Sequence, residues 1–378
     1  MTSERPSLAL LRSMSDEAVL RVLLDTPRLT RAQLAVATGL SKPTAAEAIR
    51  RLEAAGLVRD TGERTTGRGG VGSYYALADA AGVALAVAIA PDGVVVEVVD
   101  PAGTVTDRVR EDVRQPATPA SVTALLRKAA RRALGARPAG SVRVAVVSAA
   151  DPVDRVSGDL VQLPDAPFLL GAMSPRAVLR PLFDGPVLVD NDVNWAALAE
   201  RDARLAQGQQ LRDFVYLYLG EGIGLAVVAD GAVRRGHRGI AGEVAHVTVT
   251  GPGGTVLPLT ELFAQLGLRR PGSIAIDVDR LLAALHRPDD DRTAAALIRA
   301  VRDLVTAAIA FCDPECVVLG GPWGTDQAVL DSLRRDLDGH PRGVPVERAV
   351  STGEPSLSGA RTAALAALRT DIVARIPA

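Results

Sequence analysis

Three groups of polar residues in this 378-residue chain could carry chemistry. Asn191 and Asp192 follow an apolar run and precede a helical pattern, so their amide and carboxylate could bind vicinal hydroxyl groups. Glu243 and His246 lie three residues apart after a glycine-rich turn and could face one pocket. Taken alone, the first pair fits a helix cap better than a ligand site, and the second pair fits the surface of a hairpin.

The third group lies within residues 28–58, whose pattern predicts two short helices joined by a tight turn. Thr30 is placed to cap a helix over Arg31–Thr38, and Gly39 suits the left-handed residue that ends such a helix. Ser41 is placed to cap the next helix, which we expect to end near residue 55 because Gly56 follows.

The second of these helices is predicted to have two distinct faces. Its apolar residues recur at a spacing of three and four, which predicts a buried face made of Ala45, Ala48, Ile49 and Leu52. The opposite side offers hydroxyl, carboxylate and guanidinium groups, which is typical of a helix that reads the major groove of DNA. On this pattern the predicted DNA-binding residues are Arg31, Ser41, Lys42, Pro43, Thr44, Glu47, Arg50 and Arg51.

A wing is predicted directly after this helix. Residues 57–59 and 74–77 have the pattern of two strands, and residues 61–73 between them are rich in glycine and threonine. Arg68 lies between glycines in this loop, so we expect it to enter a narrow minor groove. Residues 1–80 contain 11 Arg and Lys against 9 Asp and Glu, and this weak charge favours a dimer over a tightly binding monomer. An ordinary helical hairpin with a solvated loop is the alternative.

Composition limits the partners of the whole chain. The chain is 48% hydrophobic but only 3% aromatic, so its core must be aliphatic. The net charge of −1 requires any nucleic-acid surface to be local. The two cysteines, Cys312 and Cys316, are expected to be buried thiols, because two thiols alone do not complete a structural zinc site. The N-terminus has no signal-peptide pattern and no run suits a bilayer, so we expect a cytoplasmic protein without membrane contact.

The pattern changes after residue 82 from helices to apolar strands. Strands that read as an antiparallel meander are followed by helix–strand units, and this order occurs twice. Such an order predicts a two-lobed α/β domain with a cleft between the lobes. We therefore predict a DNA-binding domain over residues 1–78 and a sensor or oligomerisation domain over residues 82–378.

These features together resemble the ROK family of transcriptional regulators and sugar kinases. The resemblance rests on Asn191-Asp192 before a helix, glycines at 220, 222 and 224, residues 241–246 as Ala-Gly-Glu-x-x-His, and Gly320-Gly321 after a strand. It implies an actin-like (ribonuclease H-like) fold that closes on a sugar. It further implies a ligand pocket formed by Asn191, Asp192, Glu243, His246 and Glu261.

The departures from the family are as informative as the matches. Asp192 stands where the family kinases keep their catalytic base, yet the phosphate-binding Asp-x-Gly-Gly-Thr of those kinases is replaced by residues 88–92, Ala-Ile-Ala-Pro-Asp. Glu221 adds a negative charge where phosphate would lie. The family's zinc cysteines are missing from residues 250–260, so the zinc site is incomplete in this sequence and we expect no metal and no cofactor.

The sequence thus favours a non-enzymatic transcriptional regulator, a repressor of sugar genes. We expect it to bind a double-stranded DNA operator as a homodimer or homotetramer and to respond to a sugar or sugar-derived ligand in the cleft. One alternative is a ligand-independent DNA-binding protein whose second domain only forms oligomers. The other is a sugar kinase with a fused DNA-binding segment, which the missing phosphate loop disfavours.

Overall fold

The N-terminal part of the chain folds into a small helical unit with a β-hairpin. The computed structural model describes residues 8–65, 72–115, 117–138, 140–163, 173–287 and 291–377. The elements of this unit are α1 (Leu8–Asp25), β1 (Leu29–Thr30), α2 (Arg31–Thr38), α3 (Lys42–Ala54), β2 (Val58–Arg64) and β3 (Ser73–Leu77). The three strands form one sheet in the order β1-β3-β2. Residues 8–15 are helical and form the first part of α1.

The next part forms a first lobe around a five-stranded sheet. Its elements are β4 (Val83–Ala90), β5 (Gly93–Val99), β6 (Val105–Asp112), α4 (Pro119–Leu134), β7 (Val142–Ala149), α5 (Pro175–Leu179), β8 (Val187–Asn191) and α6 (Asp192–Ala206). The strand order is β6-β5-β4-β7-β8, in which the first three strands are antiparallel and the last three are parallel. Residues 91–92 form the tight turn that joins β4 to β5 in a hairpin.

A second lobe repeats this arrangement. Its elements are β9 (Phe214–Leu219), β10 (Ile223–Ala229), β11 (Ala232–Val233), β12 (Thr248–Thr250), β13 (Val256–Pro258), α7 (Leu259–Gln265), α8 (Val278–Leu285), α9 (Asp291–Cys312), β14 (Cys316–Gly320), α10 (Gln327–Leu337) and β15 (Val346–Arg348). After β15 the chain returns to the first lobe, where α11 (Pro355–Ala374) packs on α6 and on strands β4 and β7. The large sheet of the second lobe has the order β11-β10-β9-β14-β15, the same order and strand directions as the first sheet. Two sheets of equal topology confirm the predicted two-lobed fold.

The cores are aliphatic, as the composition required. One apolar cluster fills the second lobe, and another fills the face of the first sheet that packs on α4. A third cluster is shared: it joins Leu20, Leu34 and Ile49 of the N-terminal unit to Trp195 of α6 and Leu368 of α11. The N-terminal unit is therefore packed against the first lobe. Within the described residues, no helix is both long and apolar enough to span a bilayer.

Candidate nucleic-acid interface and ligand cleft

Local caps fix the positions of α2 and α3. The Thr30 hydroxyl accepts from the Gln33 N–H, and the Gln33 side chain accepts from the Thr30 N–H at 2.9 Å, which completes a capping box. Gly39 ends α2 with φ of 70°, in the left-handed region that glycine adopts at little cost. The Ser41 hydroxyl accepts from the Thr44 N–H at 3.2 Å and begins α3. The predicted helix starts are thus confirmed.

Helix α3 separates apolar and polar groups in the predicted way. Ala45, Ala48, Ile49 and Leu52 are each 0% exposed and pack against α1 and α2. The side facing solvent carries the exposed residues Ser41, Lys42, Pro43, Thr44, Glu47 and Arg50. Arg50 is 67% exposed and forms an ion pair with Glu47, one turn earlier on the same face. An exposed ion pair of this kind is weak, so the Arg50 guanidinium remains available to a DNA phosphate or base edge.

Two further arginines frame this surface. The guanidinium of Arg31, on the exposed first turn of α2, lies 5.0 Å from the centre of the Tyr75 ring. Arg28 was not among the predicted contacts, but its guanidinium lies 5.3 Å from the centre of the Tyr74 ring on the same hairpin. Stacking of this kind holds an arginine in place without neutralising its charge.

Arg51 departs from the predicted outward-facing set. Its Nε donates to one carboxylate oxygen of Asp16 at 2.9 Å, and its Nη2 donates to the other at 2.5 Å. The Asp16 side chain is only 3% exposed. Since α3 turns by 100° per residue, Arg51 faces α1 whereas Arg50 faces solvent. The geometry therefore gives Arg51 the task of fixing α3 on α1.

The predicted wing has strands longer than expected. Strand β2 extends to Arg64, and it pairs with β3 in an antiparallel hairpin that also carries β1 on its other side. The sequence missed β1 because its two residues pair only through the tertiary fold. Arg68 and the rest of residues 66–71 lie outside the described residues.

Between the lobes lies a cleft with a cavity of about 460 Å³. Strands β7 and β8 are parallel neighbours, so residue 151 and residues 191–192 emerge at the same end of the first sheet. Asn191 caps α6 and donates through Nδ2 to the Asp151 carbonyl at 3.2 Å. Glu243 reaches the same cavity from the second lobe. The structure thus brings together three of the predicted ligand residues: Asn191, Asp192 and Glu243.

Two carboxyl groups in this cleft have unusual protonation behaviour. Burial raises the pKa of Asp192 to about 7. Hydrogen bonds from backbone N–H groups lower this pKa, but by less than burial raises it. Burial and the neighbouring Asp192 carboxylate raise the pKa of Glu243 to about 7. Near neutral pH each carboxyl therefore exists in both protonation states, and can either accept from or donate to a ligand hydroxyl.

The other two predicted ligand residues do not line this cavity. His246 is exposed, three residues beyond Glu243. The Glu261 side chain is 53% exposed and lies 3.8 Å from the Arg269 guanidinium. Residues 248–258 form the small hairpin β12–β13, in the place where the resemblance implied a loop with zinc-binding cysteines. Because this segment differs from the family's loop, the resemblance did not predict where the neighbouring residues His246 and Glu261 lie.

Side chains that the sequence did not single out complete the cleft. Asp151, Tyr218 and Ser356 line it together with the predicted residues. Burial raises the pKa of Tyr218 to about 12, so its hydroxyl keeps its proton and can donate to a ligand. The position of Tyr218 near the end of β9, just before the glycine-rich turn, could have indicated that it lines the cleft. Ser356 had no local signal, since it reaches the cleft from the first turn of α11.

The two turns to which the resemblance assigns phosphate binding in kinases each carry an acidic side chain that is paired with an arginine. Asp92, in the turn between β4 and β5, binds Arg110 at 2.6 Å. Glu221 forms an ion pair with Arg270. Neither turn offers the glycine pair and threonine whose N–H and hydroxyl groups cradle phosphate. Among the residues that the structure describes, no three His, Cys, Asp or Glu side chains are grouped to hold a metal ion.

Comparisons with known proteins agree with this architecture. Residues 85–262 match the ROK family model, and residues 15–59 match a winged helix-turn-helix DNA-binding model. A crystal structure of a ROK family transcriptional regulator, a homolog of the E. coli MLC protein, has a TM-score of 0.63 at 17% identity, covering 96% of this chain and 99% of that chain.

Two curated relatives match parts of the chain. The bifunctional enzyme NanE/NanK of Brucella suis biovar 1 (strain 1330) is 35% identical over 160 residues, which are 41% of this chain and 30% of that protein. The xylose repressor of Caldicellulosiruptor bescii is 35% identical over 74 residues, which are 20% of this chain and 18% of that protein. The chain thus spans less than a third of either relative. The chain therefore contains a ROK family domain that is preceded by a winged helix-turn-helix domain.

Proposed function

We propose that this protein is a transcriptional regulator that binds a double-stranded DNA operator. The observation that carries the proposal is the two-sided helix α3, whose apolar side is fully buried while Ser41, Lys42, Thr44 and Arg50 are exposed beside a wing. In such a helix the first residues approach base edges and the hydroxyl and cationic groups contact phosphates. The xylose repressor among its relatives supports the same class and favours repression.

The regulator acts as a homodimer or as a dimer of dimers. The DNA-binding part has little net charge, so one copy makes few phosphate contacts and a second copy is needed for useful affinity. Two recognition helices related by a two-fold axis enter successive major grooves about 34 Å apart, which requires a palindromic operator.

A sugar or sugar-derived ligand in the interlobe cleft modulates operator binding. Asn191, Asp192 and Glu243 converge on one cavity from both lobes, so a polyhydroxyl ligand between them would contact both lobes at once. A ligand changes the spacing of the two DNA-binding domains only to the extent that it binds one arrangement more tightly than the other.

Operator selection followed by binding measurements tests this proposal. The full chain is used to enrich sequences from a random duplex pool, and affinity for the enriched sequence is measured by fluorescence anisotropy. Arg50→Ala should weaken binding by about tenfold to a hundredfold, the range for one lost base or phosphate contact. Arg127→Ala removes an exposed arginine from α4, outside the DNA-binding domain, and should leave affinity unchanged. Equal affinity of the two variants, or no enrichment at all, refutes the proposal.

A sugar kinase is the second candidate, and Asp192 is the observation in its favour. Its carboxyl lies in the cleft with a pKa near 7, as a general base requires. The turns at Asp92 and Glu221 count against it, because each carries an ion-paired carboxylate and lacks the glycine pair and threonine that hold phosphate in the family kinases. ATP consumption is measured with hexoses and N-acetylhexosamines, with Asp192→Asn as the control. Turnover that the control variant abolishes would establish the kinase.

A further inference from the structure

The last helix of the chain reaches both the ligand cleft and the DNA-binding domain. Helix α11 has 20 residues and is therefore about 30 Å long. Near its start, Ser356 and Leu357 line cavities that also contain Asp192. Near its end, Arg369 and Val373 form a groove with Arg21, Leu24 and Asp25 of α1. One rigid element thus touches the two regions that regulation has to connect.

Arg369 makes the polar contacts between these parts. Its Nη2 donates to the Leu24 carbonyl at 2.9 Å, and its Nη1 lies 3.1 Å from a carboxylate oxygen of Asp25. Its Nε donates to the Pro101 carbonyl at 3.0 Å, in the turn between β5 and β6. The Leu24 carbonyl is among the last four of α1, which have no partner within the helix, so a cation there also meets the negative end of the helix dipole. The planar guanidinium holds these groups in fixed directions, which a lysine could not do.

The contact extends to the recognition helix through α1. Leu24 and Asp25 end the helix whose earlier turn carries Asp16, and Asp16 binds Arg51 of α3 by two hydrogen bonds. At its other end, α11 packs on α6 so closely that a Cβ on Gly359 would lie 2.0 Å from the Trp195 carbonyl oxygen. Helix α6 begins at Asp192 in the cleft. Packed elements therefore connect the cleft to α3 without a gap.

We infer that α11 sets the orientation of the DNA-binding domain on the ROK domain, with Arg369 as the positioning residue. This inference rests on the proposed DNA-binding function. In a dimer, the orientation of each DNA-binding domain decides which half-site spacing the two recognition helices fit. Arg369 does not touch DNA in this arrangement, so its loss should change spacing preference and leave the contacts within one half-site intact.

The experiment compares the full-length Arg369→Ala, Arg369→Lys and Arg375→Ala variants. Arg375→Ala is the matched control, since Arg375 directly follows the last residue of the same helix and pairs with Asp371, one turn earlier, at 2.7 Å. Affinity is measured for the enriched operator, for duplexes with the half-sites moved by one or two base pairs, and for a single half-site. The wild-type chain should discriminate against altered spacing by about tenfold, which equals 1.4 kcal/mol.

Arg369→Ala should reduce this discrimination to about twofold and leave half-site affinity unchanged. The discrimination by Arg369→Lys should lie between that of the wild type and that of Arg369→Ala, and Arg375→Ala should discriminate as strongly as the wild type. If Arg369→Ala does not fold, Asp25→Ala takes its place, because it removes only the charged partner. The inference is overturned if two variants discriminate between half-site spacings as strongly as the wild type does. These variants are Arg369→Lys and either Arg369→Ala or its replacement Asp25→Ala.

A readout without DNA separates this inference from the proposed function. Hydrogen exchange of the amides at the end of α1 should be faster in Arg369→Ala than in Arg375→Ala, because the last turn loses its partners. If the wild type enriches no DNA but this difference is found, the DNA-binding proposal fails while the contact stands. Equal exchange in the two variants shows that Arg369 does not hold α1 and refutes the inference directly.

Discussion

Arg51 on the recognition helix and Asp16 on α1 form a two-bond ion pair inside the DNA-binding domain. The Asp16 carboxylate is almost fully buried and accepts both hydrogen bonds from one guanidinium. Arg50, the preceding residue, points to solvent. Two neighbouring arginines thus have different roles: Arg51 fixes α3 on α1, whereas the guanidinium of Arg50 is exposed and available for binding.

Removing either member of the buried pair should destabilise the DNA-binding domain. We expect Arg51→Ala to lower the free energy of unfolding by about 2–3 kcal/mol, since it leaves the Asp16 carboxylate buried without a partner. Arg50→Ala should change it by less than about 0.5 kcal/mol, because Arg50 is exposed. Hydrogen exchange of the α3 amides measures both effects. Equal protection in the two variants would contradict the assignment.

The two lysines of the chain allow a matched test of phosphate contact. Lys42 is exposed at the start of α3, whereas Lys128 lies on α4 and binds Glu111 at 2.7 Å. Lys42→Ala should weaken binding to all DNA sequences and reduce the slope of log affinity against log salt by about 1. Lys128→Ala should leave the slope unchanged. A Lys42 effect confined to one sequence would instead assign this lysine to base recognition.

The helix-turn-helix was predictable because its signals are local. Thr30, Gly39 and Ser41 act on backbone groups within three residues, so their types and spacing suffice to place both helices. The buried face of α3 follows from the helical period alone. The same holds for the long apolar strands of each lobe, whereas the short strands β11, β12, β13 and β15 were not predicted.

What could not be predicted depends on distant partners. The ion pair of Arg51 joins residues 35 positions apart, and the bonds of Arg369 to α1 join residues about 345 apart. His246 and Glu261 were expected in the cleft because the resemblance to the ROK family implied it. In this chain the segment between them forms its own hairpin, and only the three-dimensional structure shows where its neighbours face.

The raised pKa values in the cleft predict a pH-dependent stability. Asp192 and Glu243 both titrate near pH 7 in the folded chain, and near 4 when unfolded. Between these values the folded state binds more protons, so their contribution to stability is complete below pH 4 and is lost as the pH rises through 7. Asp192→Asn should therefore stabilise the chain at pH 8 by about 1–2 kcal/mol relative to wild type.

At pH 5 the same substitution should have little effect, because the wild-type carboxyl is already protonated. Thermal unfolding at both pH values measures the difference. Asp213→Asn offers a control outside the cleft. If Asp192→Asn raises the free energy of unfolding equally at pH 5 and pH 8, the wild-type Asp192 carboxyl does not take up a proton on folding.

Ligand binding in the cleft should be visible as thermal stabilisation. A ligand present at 100 times its dissociation constant adds about 2.7 kcal/mol to the free energy of unfolding. We expect a shift with at least one free sugar, and no shift with the same sugar in Glu243→Ala. No response across sugars and sugar phosphates would favour the ligand-independent regulator, whose ROK domain serves only for oligomerisation.

The close packing of α11 on α6 should tolerate no side chain at Gly359. Alanine has a higher helix propensity than glycine by about 1 kcal/mol, so an unconstrained site would gain stability. Here the added Cβ would overlap the Trp195 carbonyl, and we expect a net loss of more than about 2 kcal/mol. Thr362→Ala, at an exposed position of the same helix, should be neutral or stabilising. Circular dichroism melting curves distinguish the two cases.

Helix α11 lies far from α1 in the chain, yet it supplies apolar residues to the core that the N-terminal unit and the first lobe share. An opening of α11 would therefore expose apolar surface of both parts at the same time. We expect the N-terminal unit and the first lobe to unfold as one cooperative unit, with a common free energy of opening.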